Sequence, residues 1–265
     1  MSEPEKSAPA NWERDVLEKL ALSAVQEQRR SRHWSILFKT LGFLYLFIVL
    51  FLAAGWFRSD GVSIKAHTAL IDLQGVIAAD QTSADSVISS LQGAFEDKKA
   101  KGVIVRINSP GGSPVQAGQI YDEIKRLRVL HPKTPLYAVV DDICASGGYY
   151  VAAGADKIFV DKASIVGSIG VLMDGFGFTQ TMEKLGVERR LLTAGENKGF
   201  LDPFSPVDPK HEAFARQMLE EIHAQFIAVV REGRGKRLKE TPEMFSGLVW
   251  SGEKSIQLGL ADGLG

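Results

Sequence analysis

One cysteine, Cys144, stands in 265 residues, which excludes an intrachain disulfide framework and leaves the redox compartment open. Net charge is nearly absent as well: 31 Lys and Arg against 32 Asp and Glu leave -1, so a large nonspecific nucleic-acid footprint is not expected. The five histidines, His33, His67, His131, His211 and His223, have no mutually supporting metal spacing, which argues against a zinc site and a Ser-His-Asp triad. No repeat or sustained heptad pattern runs through the chain, so neither a solenoid nor a coiled coil is expected. Residues 108–113 lack the Lys and following Ser or Thr of a P-loop. Gly167, Gly170, Gly175 and Gly177 do not make a GxGxxG start, so no nucleotide, flavin or other cofactor is implied. Cys144 has no nearby His and reads as a packing residue, and the adjacent Asp141 and Asp142 do not form opposed catalytic carboxylates.

What the chain does have is one long apolar run. Residues 41–57 carry no charge, and apolar character extends back to Ile36 with only Lys39 interrupting it. As a helix this run covers about 26 Å, close to a bilayer's hydrocarbon thickness, with Lys39 snorkelling and Trp56 at an interface. Arg29, Arg30, Arg32, His33 and Lys39 precede it, whereas Arg58, Asp60 and Lys65 come after it sparsely, which predicts a cytoplasmic N-terminus with the remaining chain across the membrane. A cleavable signal peptide is the competing reading, because Ala53, Ala54 and Gly55 are small, but the leader before the run is long for one. The expected organisation is a tail at 1–35 with an amphipathic helix around 12–30, an anchor at 36–57, a linker at 58–65 and a single α/β domain at 66–265.

In that domain the apolar pattern alternates between strand and helix. Strands are expected at 68–73, 102–107, 136–140 and 157–160, with 165–172 partly extended and 187–192 extended. Helices are expected at 83–98, 115–129, 146–154, 178–185, 210–231 and 251–259, with a mainly looped segment at 193–209. This order predicts a mostly parallel sheet with helical crossovers.

Ser146 falls between a strand and a helix rich in small residues, where its hydroxyl is either presented to a cleft or used as a helix cap. Lys198 lies in a glycine-bounded loop. A desolvated amine is neutral more readily and then accepts a proton from a serine hydroxyl, but spacing alone does not make a dyad.

Ser146 within ASGGYY, Lys198 within AGENKGF, the NSPGGSP turn at 108–114 and GSIGVL at 167–172 occur in the order seen in the signal peptide peptidase A family. The chain resembles those membrane-anchored bacterial Ser-Lys proteases over nearly all of 66–264. The resemblance implies a Clp protease/crotonase-like sheet, with Ser146 as nucleophile and Lys198 as general base, and without a metal. It further implies backbone stabilisation of the oxyanion by Gly111 and Gly112, with Gly147 a weaker contributor. Ser168 either tunes Lys198 or closes a turn; Pro110 and Ser113 frame the cleft, and Ile165, Val166, Ile169 and Val171 supply its walls. Expected partners are unfolded peptides or remnant signal peptides, the lipid bilayer and other copies of the chain, as a tetramer or an octamer. The expected location is a Gram-negative inner membrane with the catalytic domain in the periplasm. Compared with common members, the chain ends early, just after LGLADGLG. A crotonase-like acyl-CoA enzyme and an inactive peptide-binding scaffold are the alternatives.

Overall fold

A computed structural model describes residues 12–53 and 65–265. The chain separates into two compact units, Met1–Val62 and Ser63–Gly265. In the first, α1 (Trp12–Ala53) is one continuous helix of 42 residues, roughly 63 Å long at the α-helical rise. Its stretch Arg32–Leu52, with mean hydropathy 2.2, is long and apolar enough to cross a membrane. Pairs four residues apart stack along it, Trp34 on Phe38 and Phe47 on Phe51, as helical spacing dictates. The tail before residue 12, the last four anchor positions expected at 54–57, and the linker up to residue 64 lie outside the described residues.

The second unit is built on a seven-stranded sheet. Its strands are β1 (His67–Gln74), β2 (Ala100–Ser109), β3 (Leu136–Ala145), β4 (Lys157–Val160), β5 (Ile165–Gly167), β6 (Val249–Ser251) and β7 (Gly263–Leu264). The main order is β1-β2-β3-β4-β7, all parallel; β5 runs parallel to β3, and β6 pairs antiparallel with β5. Helices α2 (Ala84–Glu96), α3 (Pro114–Leu130) and α4 (Gly147–Ala152) make the crossovers between the first four strands. Parallel neighbours cannot be joined by a tight hairpin, which is why helices intervene.

Local chemistry sets the helix limits. Ser83 and Ser113 cap α2 and α3 through hydroxyls that accept from Ser86 N and Gln116 N, each at 3.4 Å. Pro114 opens α3, and Pro209 opens α6 (Pro209–Arg234), where Asp208 accepts from Lys210 N at 2.8 Å. Alternation in β2 and β3 sends Val103, Val105, Ile107, Leu136, Ala138 and Val140 into one core with Leu91 and Phe95 of α2 and Ile120 and Ile124 of α3. The intervening residues fall on the other face, where Arg106 Nε donates to Asp72 Oδ1 at 2.7 Å and lies 3.8 Å from Asp141.

Two further helices complete the unit, α5 (Thr179–Leu185) and α7 (Gly252–Gln257). At the end of α6, the buried Arg234 donates to Gly259 O and to Asp262 Oδ2, at 2.8 and 2.9 Å, tying the helix to the chain between α7 and β7. Residues 187–192, expected as extended chain, form no strand. They lie in a largely exposed segment with no sheet edge pairing them. The short β6 and β7 are additions that periodicity over two or three residues does not reveal.

Candidate active site

The site begins with an irregularity in β3. Pairing with β2 runs to Ile107↔Val140 and resumes at Ser109↔Cys144, so β3 takes four steps where β2 takes two. Such a bulge bends a strand and re-aims the residues beyond it. Past the bulge, Ile143 to Ala145 pair with β5 and lead directly to Ser146. Ser146 has φ 51 and ψ -123, a conformation that costs a residue with a Cβ about 1–3 kcal/mol. Its neighbours fix it there: its N–H donates to Gly167 O at 2.8 Å, and its carbonyl accepts from Tyr150 N at 3.0 Å. The next helix, α4, is anchored by Tyr149, fully buried, whose hydroxyl donates to Leu260 O at 2.8 Å.

The loop after β2 closes against this turn. Gly111 N–H donates to the hydroxyl oxygen of buried Ser109 at 3.1 Å, and that hydroxyl donates to Gly75 O at 2.6 Å. Ile77 N–H donates to Gly111 O, and Ser113 N–H to Ile77 O, both at 2.8 Å. Both loop glycines are sterically required. Gly111 has φ 102, and a Cβ there would lie 2.7 Å from Ser146 Cβ and 2.6 Å from Gly147 N; a Cβ on Gly112 would lie 2.2 Å from Ile77 O. Gly112 N–H and Gly147 N–H have no acceptor among the described residues, and a Cβ on Gly147 would lie 3.3 Å from Gly112 N. Two free amides thus lie close together beside Ser146.

A cleft of about 780 Å³ opens over them. Of the residues singled out from the sequence, Pro110, Gly112, Ser146, Gly147, Ser168 and Val171 line it. Val166 and Ile169 do not form its wall: both are fully buried in the sheet core, because an apolar run next to β3 is worth more as packing. Ile165 is 43% exposed and borders a different depression, beside Asp141 and Asp161. Ser113 is occupied as the α3 cap, and Gly111 sits behind Ser146. The wall is supplied instead by Tyr150, Met173 and one face of α6, with Met218, Ile222 and Phe226. The helical spacing of those α6 residues is visible in the sequence; the surface they face is not.

Lys198 does not line this cleft. It is exposed on a turn closed by Phe200 N–H donating to Asn197 O at 3.1 Å, and its amine has no hydrogen bond or ion pair among the described residues. Ser168 has φ 54, donates its N–H to Leu248 O at 2.7 Å, and has no side-chain partner among the described residues. His223 Nε2 is 3.1 Å from Ile169 O, and no group of three or more His, Cys, Asp or Glu able to hold a metal occurs among the described residues. Burial pushes the Cys144 thiol well above its usual range.

Residues 128–265, slightly more than half the chain, match the profile of Peptidase family S49. A putative protease of Synechocystis is 32% identical over 203 residues, covering 77% of this chain and 71% of that protein. The chain belongs to peptidase family S49. Residues 60–166 also match the Clp protease profile. The S49 chain is 30% identical over 215 residues to a putative signal peptide peptidase of Enterococcus faecium, covering 78% of itself and 62% of that protein. It is 44% identical over 209 residues to a Brucella abortus protein named Na(+)/H(+) antiporter NhaA, covering 77% of itself and only 28% of that relative. It is also 29% identical over 211 residues to a chloroplastic serine protease SPPA of Arabidopsis thaliana, covering 78% of itself and 31% of that protein, so the chain spans only about a third or less of several of the relatives it matches.

Proposed function

We propose that this S49 chain is a membrane-anchored serine endopeptidase that cleaves remnant signal peptides and other unfolded apolar polypeptides. The observation that carries this is Ser146, held in a strained strand-to-helix turn beside two unpaired backbone N–H groups at the mouth of an uncharged cleft. Ser146 Oγ attacks the scissile carbonyl carbon while the Lys198 amine of a neighbouring copy takes its proton. Gly112 and Gly147 N–H receive the developing oxyanion, since Gly111 N–H is already committed to Ser109. The C–N bond then breaks, Lys198 returns the proton to the leaving amine, and water releases the acyl group by the same route. Each amide donor of this kind is worth about 3 kcal/mol in the transition state.

Lys198 stands in solvent, outside its own chain's cleft, so its route to a serine hydroxyl runs through a second copy of the chain. In the stretch of chain 172–207 that contains it, Leu172, Phe176, Leu185, Leu192 and Val207 expose their apolar side chains, Leu192 at 96%. We assign this segment to an interface between copies, across which Lys198 serves the Ser146 of a neighbour. The domain is of the Clp protease/crotonase-like sheet class, the arginines at the start of α1's apolar stretch hold the N-terminus in the cytoplasm, and the catalytic unit works in the periplasm of a Gram-negative cell. The test uses an internally quenched apolar peptide with the full chain, Ser146→Ala, Lys198→Ala, and the two variants co-assembled. Each variant alone is expected to be inactive and the mixture to regain cleavage. Full activity of either variant alone overturns its assigned role, and a mixture that stays inactive while assembled overturns delivery by a neighbour.

A further inference from the structure

The turn that carries Lys198 is clasped at both ends by one side chain from another element. His211, in the first turn of α6, has Nε2 3.2 Å from Asn197 Oδ1, on the residue just before Lys198. The same imidazole packs on the ring of Phe200, two residues after Lys198, with ring centroids 5.2 Å apart. Phe200 in turn meets Phe214, one helical turn further along α6, edge-on at 5.8 Å. Within the turn, Lys198 N–H donates to Gly195 O at 3.1 Å, so the backbone has little freedom left while the Lys198 side chain points out unpartnered. The far end of the loop is held separately: Arg189 donates to Asp202 and lies over the ring of Phe204, which stacks on Phe178.

The helix that bears His211 also bears the cleft wall. Met218 and Phe226 lie 7 and 15 residues further on, about 10 and 22 Å along a rigid α-helix. Displacement of the 197–200 turn relative to α6 is therefore displacement of the amine relative to the rigid frame of its own domain, and with it relative to the neighbour's Ser146 that the amine is proposed to serve. Given the Ser146-Lys198 chemistry proposed above, on which this inference rests, we propose that His211 is a positioning residue for Lys198. It acts through a hydrogen bond to the Asn197 side chain and through ring contact with Phe200. It touches neither substrate nor the reacting atoms. Its effect belongs in the rate of the chemical step, because an amine misplaced by 1 Å costs about 100-fold while substrate contacts remain in place.

The experiment measures kcat and KM on the quenched peptide for the full chain and for His211→Ala, His211→Gln, Asn197→Ala, the His211→Ala/Asn197→Ala double variant and Lys198→Ala, with thermal midpoint and assembly size recorded for each. His211→Ala is expected to lower kcat about 10- to 100-fold with KM within about threefold. His211→Gln, whose amide reaches Asn197, is expected to recover most of the loss. The double variant is expected to match the worse single one, because both remove the same contact. A kcat for His211→Ala within twofold of the unaltered chain, with Lys198→Ala inactive, overturns the positioning role and leaves the base assignment standing. If Lys198→Ala cleaves at the full rate, the base assignment fails and the positioning role with it. Should His211→Ala lose assembly, the glutamine variant and the double variant decide: no recovery together with additive losses overturns the proposal.

Discussion

Replacing Gly111 with alanine tests whether the loop after β2 and the Ser146 turn form one steric unit. The new methyl would stand 2.7 Å from Ser146 Cβ, roughly 0.8 Å short of an ordinary carbon–carbon contact, and 2.6 Å from Gly147 N. The φ of 102 adds a penalty of about 1–2 kcal/mol for any residue with a Cβ, and overpacking in so closed a site adds about 1–3 kcal/mol. A total near 2–5 kcal/mol lowers the melting temperature of a domain of this size by about 4–20 °C. The loop cannot withdraw freely, because its carbonyl holds Ile77 N–H and its amide holds Ser109 Oγ, so Ser146 has to move instead. A shift approaching 1 Å predicts a loss of about 100-fold in the reaction of Ser146 with a fluorophosphonate probe, read beside a thermal melt. Labelling at the unaltered rate, with a melting temperature within 2 °C, would refute the steric coupling. A lowered melting temperature with normal labelling would place the strain in the loop alone.

At Asp262, burial works against the charge, but hydrogen bonds from Arg234 and Ile158 N–H and the charges of Arg234 and Arg237 outweigh it and hold the carboxyl below its usual range. A depressed carboxylate stabilises the fold above the unfolded value of about 3.9 and loses that contribution as pH falls toward its folded value. Asp262→Asn is therefore expected to flatten the acid limb of a stability curve. By leaving the buried Arg234 guanidinium without its counter-charge it is also expected to cost about 3–5 kcal/mol near neutrality, measured by urea denaturation; an unchanged midpoint would contradict this. Cys144, fully buried with its thiol pushed up, is expected to resist iodoacetamide in the folded chain and react once denaturant opens the core, and rapid alkylation of folded protein would contradict its placement.

The helix limits are legible because they are written in local chemistry: Ser113 before Pro114, and Asp208 before Pro209, mark helix starts by themselves. The same is true of Ser146 as a junction between strand and helix. The second half of β3 is not legible, because Asp141 and Asp142 interrupt the apolar pattern at the bulge and the strand looks finished at Val140. Val166 and Ile169 illustrate a different limit. An apolar residue beside a candidate catalytic motif serves equally well as cleft wall or as core, and only the tertiary neighbours decide. For α6 the periodicity of Met218, Ile222 and Phe226 defines a face without naming the surface it meets, and for Lys198 a sequence separation carries no direction in space.

The positive φ at Ser146 sets folding against the chemistry proposed for it at a single residue. Glycine adopts that backbone conformation freely, so Ser146→Gly relieves about 1–3 kcal/mol while deleting the hydroxyl. Loss of the nucleophile proposed above is then downhill in folding free energy. A duplicated copy released from selection for cleavage would drift toward glycine at this position and emerge sturdier than its parent. Any directed evolution of this chain that rewards thermal resistance alone would enrich inert proteins, so such a screen has to be coupled to turnover.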